Sequence, residues 1–231
     1  MVSRTTDSPR PLENELSNPG AGPVLYGRSS SHFTRVVRIV AAELGVAHAF
    51  RVVPNLLSLD ASEYGGNPAL RVPSLHTEEG PWFGALNICR VLERRAASAK
   101  GGRSPGKIVW PEDLGRPVTT NAQELALQAM SSEVALIMAR VAKADESAPH
   151  LVKQRETLER MLAWLEANVS EALAALPAER QLSFLEVTLF CLVQHLEFRD
   201  VLPVAPYRAL GEFCRAFGER ASAQATVFRF D

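Results

Sequence analysis

Apolar positions along the chain change their period about halfway. Residues 23–27 (PVLYG) make a short strand-like run. After the polar turn of Arg28, Ser29, Ser30 and Ser31, the residues Phe33, Val36, Val37, Val40 and Leu44 recur on one helical face until Gly45 supplies a stop. Residues 48–53 (HAFRVV) have strand character, and residues 54–66 read as an irregular connection with one helical turn. The two strands of this β-α-β unit are expected to be parallel, because a connection of that length containing a helix is what parallel pairing needs. Residues 67–75 (NPALRVPSL), a turn at Glu78-Glu79-Gly80 and the run Pro81-Trp82-Phe83 predict a β-hairpin. Ile88, Val91 and Leu92 then bring back helical spacing within residues 86–95.

Residues 98–117 (SAKGGRSPGKIVWPEDLGRP) mix Gly, Pro and Lys and predict a linker. Everything beyond reads as helix. Leu127, Met130, Val134, Ile137 and Val141 form one stripe, Leu158, Leu162, Leu165 and Val169 a second, and Leu210, Phe213 and Phe217 a third, which suits an antiparallel bundle led by two long helices. Ser183-Phe-Leu-Glu186 is a capping box: Ser183 is expected to accept from the Glu186 amide while the Glu186 carboxylate returns to the Ser183 amide, with Leu182 and Val187 spaced for a hydrophobic staple. The helix that follows is apolar nearly all round and predicts the buried centre of the bundle. Division of the chain is thus a tail at 1–22, rich in Pro, Ser, Gly and Asn and expected to be flexible, a first domain at 23–97, a linker at 98–117 and a helical domain at 118–231.

Composition narrows the partners. At 231 residues and 46% hydrophobic content the chain can bury a sizeable core. Its 25 basic and 26 acidic residues leave a net charge of −1, and no basic patch is interleaved with aromatics, so neither nucleic acid nor a membrane surface is an expected partner. No apolar run approaches the roughly 20 residues that span a bilayer, and the N-terminal segment lacks the apolar core of a signal peptide, so a cytoplasmic location is expected. Cys89, Cys191 and Cys214 are far apart and outside any CxxC or Cys/His pattern; they read as small buried hydrophobes rather than as a disulfide, a redox pair or zinc ligands, and no metal is expected.

Four stretches in this order, LYGRSSSHFTRVVRIVAAELGV, NPALRVPSL, SFLEVTLFCLVQHL and PYRALGEFCRAFGERASAQAT, resemble the cytosolic glutathione S-transferases from residue 23 to about residue 229. The resemblance implies an α/β thioredoxin-like N-terminal domain followed by an all-α C-terminal helical bundle. It also implies glutathione as cosubstrate, bound as a thiolate, which requires a positioned donor in a positive local field. Ser31 aligns with the hydroxyl that hydrogen-bonds the glutathione sulfur in the serine-using classes, at the start of a helix whose free amides favour an anion. Ser29, Ser30 and Ser31 equally suit an ordinary turn and N-cap. Arg35 and His32 are adjacent candidates for anion contacts, or else solvated residues of the helix surface.

Val72-Pro73 resembles the family's cis-proline, where the Val main chain pairs with the cysteinyl backbone of glutathione, and Arg71 stands where the family often has Lys or Gln near the glycine carboxylate. An exposed strand-edge residue is the other reading of Arg71. The family's Glu-Ser pair, which holds the γ-glutamyl group, falls at Gly84-Ala85, so both side chains are missing, although the amides of Ala85 and Leu86 remain available to an anion. Losing charged hydrogen bonds costs roughly 1.5–3 kcal/mol each, which implies glutathione binding weaker by about two to four orders of magnitude. Two functions follow. One is glutathione conjugation to hydrophobic electrophiles, or peroxide reduction, in a cleft partly lined by the helix of residues 127–141. The other is a non-catalytic module that uses the same fold for a protein partner or another small ligand. The resemblance also implies a homodimer.

Overall fold

The computed structural model describes residues 22–99, 101–102 and 106–231. The flexible tail expected at 1–22 lies outside these residues except for Gly22. Strand β1 (Val24–Gly27), helix α1 (His32–Leu44) and strand β2 (Ala49–Val52) form the β-α-β unit, with β1 and β2 parallel as expected. Ser31 caps the start of α1 by accepting from the Thr34 amide at 3.3 Å, and Gly45 closes it in the left-handed conformation at φ +69°. A single 3-10 turn, Ala61–Tyr64, supplies the helical turn of the connection. Strands β3 (Ser74–Thr77) and β4 (Gly80–Phe83) are the hairpin, and the four strands lie in the order β2-β1-β3-β4. Helix α2 (Ala85–Ala99) returns against the sheet and runs on past residue 97.

Within residues 98–117 the chain is not all loop. Strand β5 (Ile108–Val109) pairs in parallel with strand β6 (Leu182–Ser183), and Ile108, Val109 and Trp110 are buried. Beyond it come α3 (Pro117–Val141), α4 (Pro149–Ala174), α5 (Phe184–Phe198), α6 (Arg208–Gly218) and the short α7 (Ala221–Gln224). Both long helices open on proline, which lacks the amide that the first turn would leave unpaired. Helix α5 is buried on nearly every side, packs against α1, α3 and α6, and belongs to one apolar core that runs without a break through both halves of the chain.

Two details differ from the sequence pattern. The α4 stripe is wholly buried, but in α3 only Met130 and Ile137 of the expected stripe are buried, Leu127 is half-buried, and Val134 and Val141 face solvent. The buried face of α3 runs instead through Ala122, Ala126, Ala129, Met130, Glu133 and Leu136. Alanines let neighbouring helices approach closely, so packing selects a face that large side chains alone do not mark. At Ser183 the hydroxyl accepts from the Glu186 amide at 3.1 Å as expected. The Glu186 carboxylate does not return to the Ser183 amide. It accepts from the Ser183 hydroxyl at 2.8 Å and from Arg180 through Nε at 3.0 Å and Nη2 at 2.7 Å, because a bidentate guanidinium outcompetes a neutral amide.

One carboxylate on α1 ties the two halves together. Glu43 accepts from Arg220 at 2.9 Å through both Nε and Nη2, from the Ser222 hydroxyl at 2.5 Å and from the Gln181 side chain at 3.3 Å. No helix of the described residues is long and apolar enough to cross a membrane.

Candidate functional site

Strand register brings the expected site segments to one end of the sheet. Tyr26 pairs with Ser74, and Ser74 pairs with Phe83 on its other side. The end of β1, the start of β3 and the end of β4 therefore lie side by side. From that edge the chain continues into the turn of residues 28–31, arrives through residues 71–73, and leaves through Gly84 into α2.

Ser31 is only partly buried, and its oxygen is used as an acceptor by the Thr34 amide. An N-cap uses a lone pair of the hydroxyl, not its proton, so Ser31 can cap α1 and still donate to an anion. Gly27 is needed just before the turn, since a Cβ there would fall 2.5 Å from Thr34 Cγ2. The Val72-Pro73 bond is cis, as the resemblance implies. Asn67, 5% exposed, braces the loop leading to it: its amide group donates to the Arg71 carbonyl at 2.8 Å and its oxygen accepts from the Ala69 amide at 3.0 Å. Arg71 itself is exposed, and Val72 half-buried. Asn67→Ala is expected to cost about 1–3 kcal/mol through these two contacts. A urea midpoint equal to that of the wild type would show the loop holding its shape without them.

At the third segment Gly84 and Ala85 stand where the resemblance places the Glu-Ser pair, and neither offers a polar side chain. Gly84 has φ +82°, a region that L side chains rarely adopt, and Ala85 opens α2 with its methyl group buried. Open space lies where a Cβ of residue 84 would stand, so conformation rather than crowding disfavours a larger residue. The first amides of α2 lie at this edge, among the unpaired donors of a helix start.

His32 and Arg35 are not solvated. They are 1% and 3% exposed, because α1 turns the face bearing His32, Arg35, Val36 and Ile39 towards the helical half. Arg35 donates to the Ala223 carbonyl at 3.2 Å, and its guanidinium lies 4.7 Å from the Phe190 ring centre and 4.3 Å from that of Phe228. Neither side chain is placed as an outward anion contact.

Two residues without any local motif meet the site turn from behind. His195 of α5 has Nε2 at 2.9 Å from the Ser30 carbonyl and Nδ1 at 2.8 Å from Glu133 Oε1 of α3. His32 Nδ1 stands 3.2 Å from Glu133 Oε2, off the line of a hydrogen bond. Burial pushes His32 down to about 4, so its ring is neutral at physiological pH. Burial alone would raise the Glu133 carboxyl, but the His195 hydrogen bond and the contacts with His32 outweigh it and hold the group below the usual carboxylate range. The signal for both residues is present in the sequence as a polar side chain on an otherwise buried helical face. All three cysteines are free and buried; burial raises Cys89 and pushes Cys191 and Cys214 up to about 12, so none offers a thiolate at neutral pH.

Residues 25–101 match the family model of the glutathione S-transferase N-terminal domain. No curated protein matches the sequence. Among solved structures, a glutathione S-transferase from Methylobacillus flagellatus with glutathione bound is 20% identical with a TM-score of 0.68, covering 90% of this chain and 100% of the other. One from Methylobacterium radiotolerans in complex with glutathione sulfonate is 18% identical with a TM-score of 0.69, covering 90% and 96%. A glutathione transferase homologue from Sulfitobacter with bound glutathione is 18% identical with a TM-score of 0.63, covering 89% and 96%. Over residues 25–101, then, the chain carries an N-terminal domain of the glutathione S-transferase family, and as a whole it has the glutathione S-transferase fold.

Proposed function

We propose that the chain binds glutathione at the edge formed by residues 28–31, 71–73 and 84–85, and that Ser31 stabilises its sulfur as a thiolate for transfer to a hydrophobic electrophile or for peroxide reduction. The observation that carries this reading is the geometry of Ser31, a partly exposed N-cap whose hydroxyl proton remains available beside the positive end of α1. In this reading the Val72 main chain beside cis-Pro73 pairs with the cysteinyl backbone, Arg71 faces the glycine carboxylate, and the amides around Ala85 receive the γ-glutamyl carboxylate. The ligands printed for the three structural relatives support the choice of glutathione. The proposal extends to a cytoplasmic homodimer, for which the exposed Leu57 and Leu59 offer apolar surface.

Calorimetric titration with glutathione tests the reading. Saturable binding tighter than about 1 mM is expected, and its absence would remove the transferase mechanism. On the bound complex, Ser31→Ala should cut the thiolate absorbance by about one to two pKa units' worth of ionisation, the weight of one charged hydrogen bond. An undiminished thiolate signal would take Ser31 out of the chemistry. The lack of polar side chains at Gly84-Ala85 favours the second reading, a module of the same fold that binds another small ligand or a protein without catalysis; binding of glutathione with no thiolate formed is the result that would select it.

A further inference from the structure

His195 meets an acceptor at each ring nitrogen. The Ser30 carbonyl can only accept, so Nε2 carries a proton; Nδ1 faces a carboxylate oxygen, so a second proton lies between His195 and Glu133. Glu133 is 0% exposed and His195 2%, so bulk solvent does not reach either partner. The orientation of the ring is therefore dictated from both sides, and its Nε2–H is aimed at one atom.

That atom is the carbonyl of the peptide group joining Ser30 to Ser31. The peptide group joining Arg28 to Ser29 is held as well: the Ser29 amide donates to Asp231 Oδ2 at 2.6 Å. Within the turn the Ser31 amide donates to the Arg28 carbonyl at 3.1 Å. The turn of the first domain is thus fixed at two of its peptide groups, 28–29 and 30–31, by residues of the helical half. We propose that Glu133 and His195 are positioning residues, which act through the Ser30 carbonyl to set the plane of the Ser30–Ser31 peptide and hence the aim of the Ser31 hydroxyl. This role rests on the glutathione reading only for its chemical consequence; the clamp on the turn is independent of it. A displacement of about 1 Å at a reacting group can cost about a hundredfold in rate, which is the scale of what such a clamp protects.

His32, Glu133 and His195 also place three potential metal donors within 4.8 Å of one another. The distances favour the shared proton. Tetrahedral ligands at about 2.0–2.1 Å from an ion lie roughly 3.3 Å apart, whereas Nδ1 and Oε1 stand at 2.8 Å, a hydrogen-bond separation. The other groups facing the pair are the His32 ring, centred 4.3 Å from that of His195, the rings of Phe198 and Phe228, and the Arg199 guanidinium, whose charge acts on Glu133.

The experiment uses the full chain without ligand and compares His195→Leu, His195→Gln and Glu133→Gln. Glutamine at 195 retains a side-chain amide that can donate to the Ser30 carbonyl, and so serves as the conservative rescue. In the wild type, nitrogen NMR should find His195 Nε2 protonated and hydrogen-bonded. Amide exchange at Ser31 should accelerate about tenfold or more in His195→Leu, beyond any change in amides that open only by global unfolding, and should return towards the wild-type rate in His195→Gln. Should His195→Leu fail to fold, Glu133→Gln supplies the same reading, with weakened protection at Ser31. Exchange at Ser31 that tracks global stability alone would overturn the proposal, as would a stoichiometric divalent metal in the purified wild type that is lost in His195→Leu. With glutathione present, His195→Leu should lower the thiolate absorbance and His195→Gln should restore it. If the wild type binds no glutathione, the functional reading fails, while the Ser31 exchange rates still decide the clamp.

Discussion

Replacing Phe190 by alanine is expected to lower the unfolding free energy by about 3–5 kcal/mol, the range found for truncating a buried aromatic ring. Phe190 is 1% exposed in the middle of α5, with the Phe217 ring centred 4.7 Å away on one side and the Arg35 guanidinium 4.7 Å from its centre on another. The upper end of the range is expected, because truncation opens a cavity and also strips a buried cation of one of its two aromatic neighbours. Among the described residues the Arg35 guanidinium has one hydrogen bond, from Nη2 to the Ala223 carbonyl; its Nε and Nη1 have no hydrogen-bond partner there. Urea denaturation measures the effect. A loss of less than about 1 kcal/mol would mean that α6 and α7 collapse onto the vacated space, and that the ring does not organise this core.

Acid should destabilise the protein in two separable windows. His32 titrates at about 4 in the folded chain against an ordinary value of 6.5, so between these pH values the unfolded chain binds a proton that the folded chain refuses. Stability is then unaffected by this group above pH 6.5 and falls as the pH is lowered towards 4, by about 3 kcal/mol in all. Glu133 acts in the same direction but lower: its depressed carboxyl contributes stability that is present above the usual carboxylate range and lost as pH falls through its folded value. His32→Gln should therefore flatten the stability profile between about pH 6.5 and 4 while leaving the more acidic decline in place. Equal slopes for wild type and variant in urea titrations across that window would show that the His32 ring is protonated without penalty.

The first half of the fold was legible because its signals are local. A serine before an apolar-periodic run, a glycine after it, and two strand-like runs flanking an Asn-Pro and a Val-Pro segment define each element within a dozen residues or so of chain. The turn could be named for the same reason and the following helix was read to within a residue of its start at Ala85, whereas the cis-proline came from the family resemblance. Arg35 and His32 were misread because a charged or polar residue on a helix is ordinarily solvated. Their spacing to Ile39 nevertheless places them on the buried stripe. Glu133 and His195 lie 62 residues apart on different helices, and nothing in either neighbourhood points to the other. What the sequence does hold is a histidine inside VTLFCLVQHL, an otherwise nearly unbroken apolar helix, and a buried polar group of that kind demands a partner. The α3 face illustrates a different difficulty, since alanines carry the packing there and alanine is neutral in any pattern of large apolar residues.

The knot at Glu43 bears on how the chain is made. Its ligands at residues 181, 220 and 222 come from the last quarter of the sequence, while α1 belongs to the first. A polypeptide emerging from the ribosome presents α1, with the face bearing His32, Arg35 and Ile39, long before the segments that cover it exist. Only when α6 and α7 have been synthesised can that face be sealed. The first domain of this protein is therefore the last to be finished, and the span of translation between residue 44 and residue 222 is the interval in which its apolar surface is open to chaperones or to the wrong neighbour.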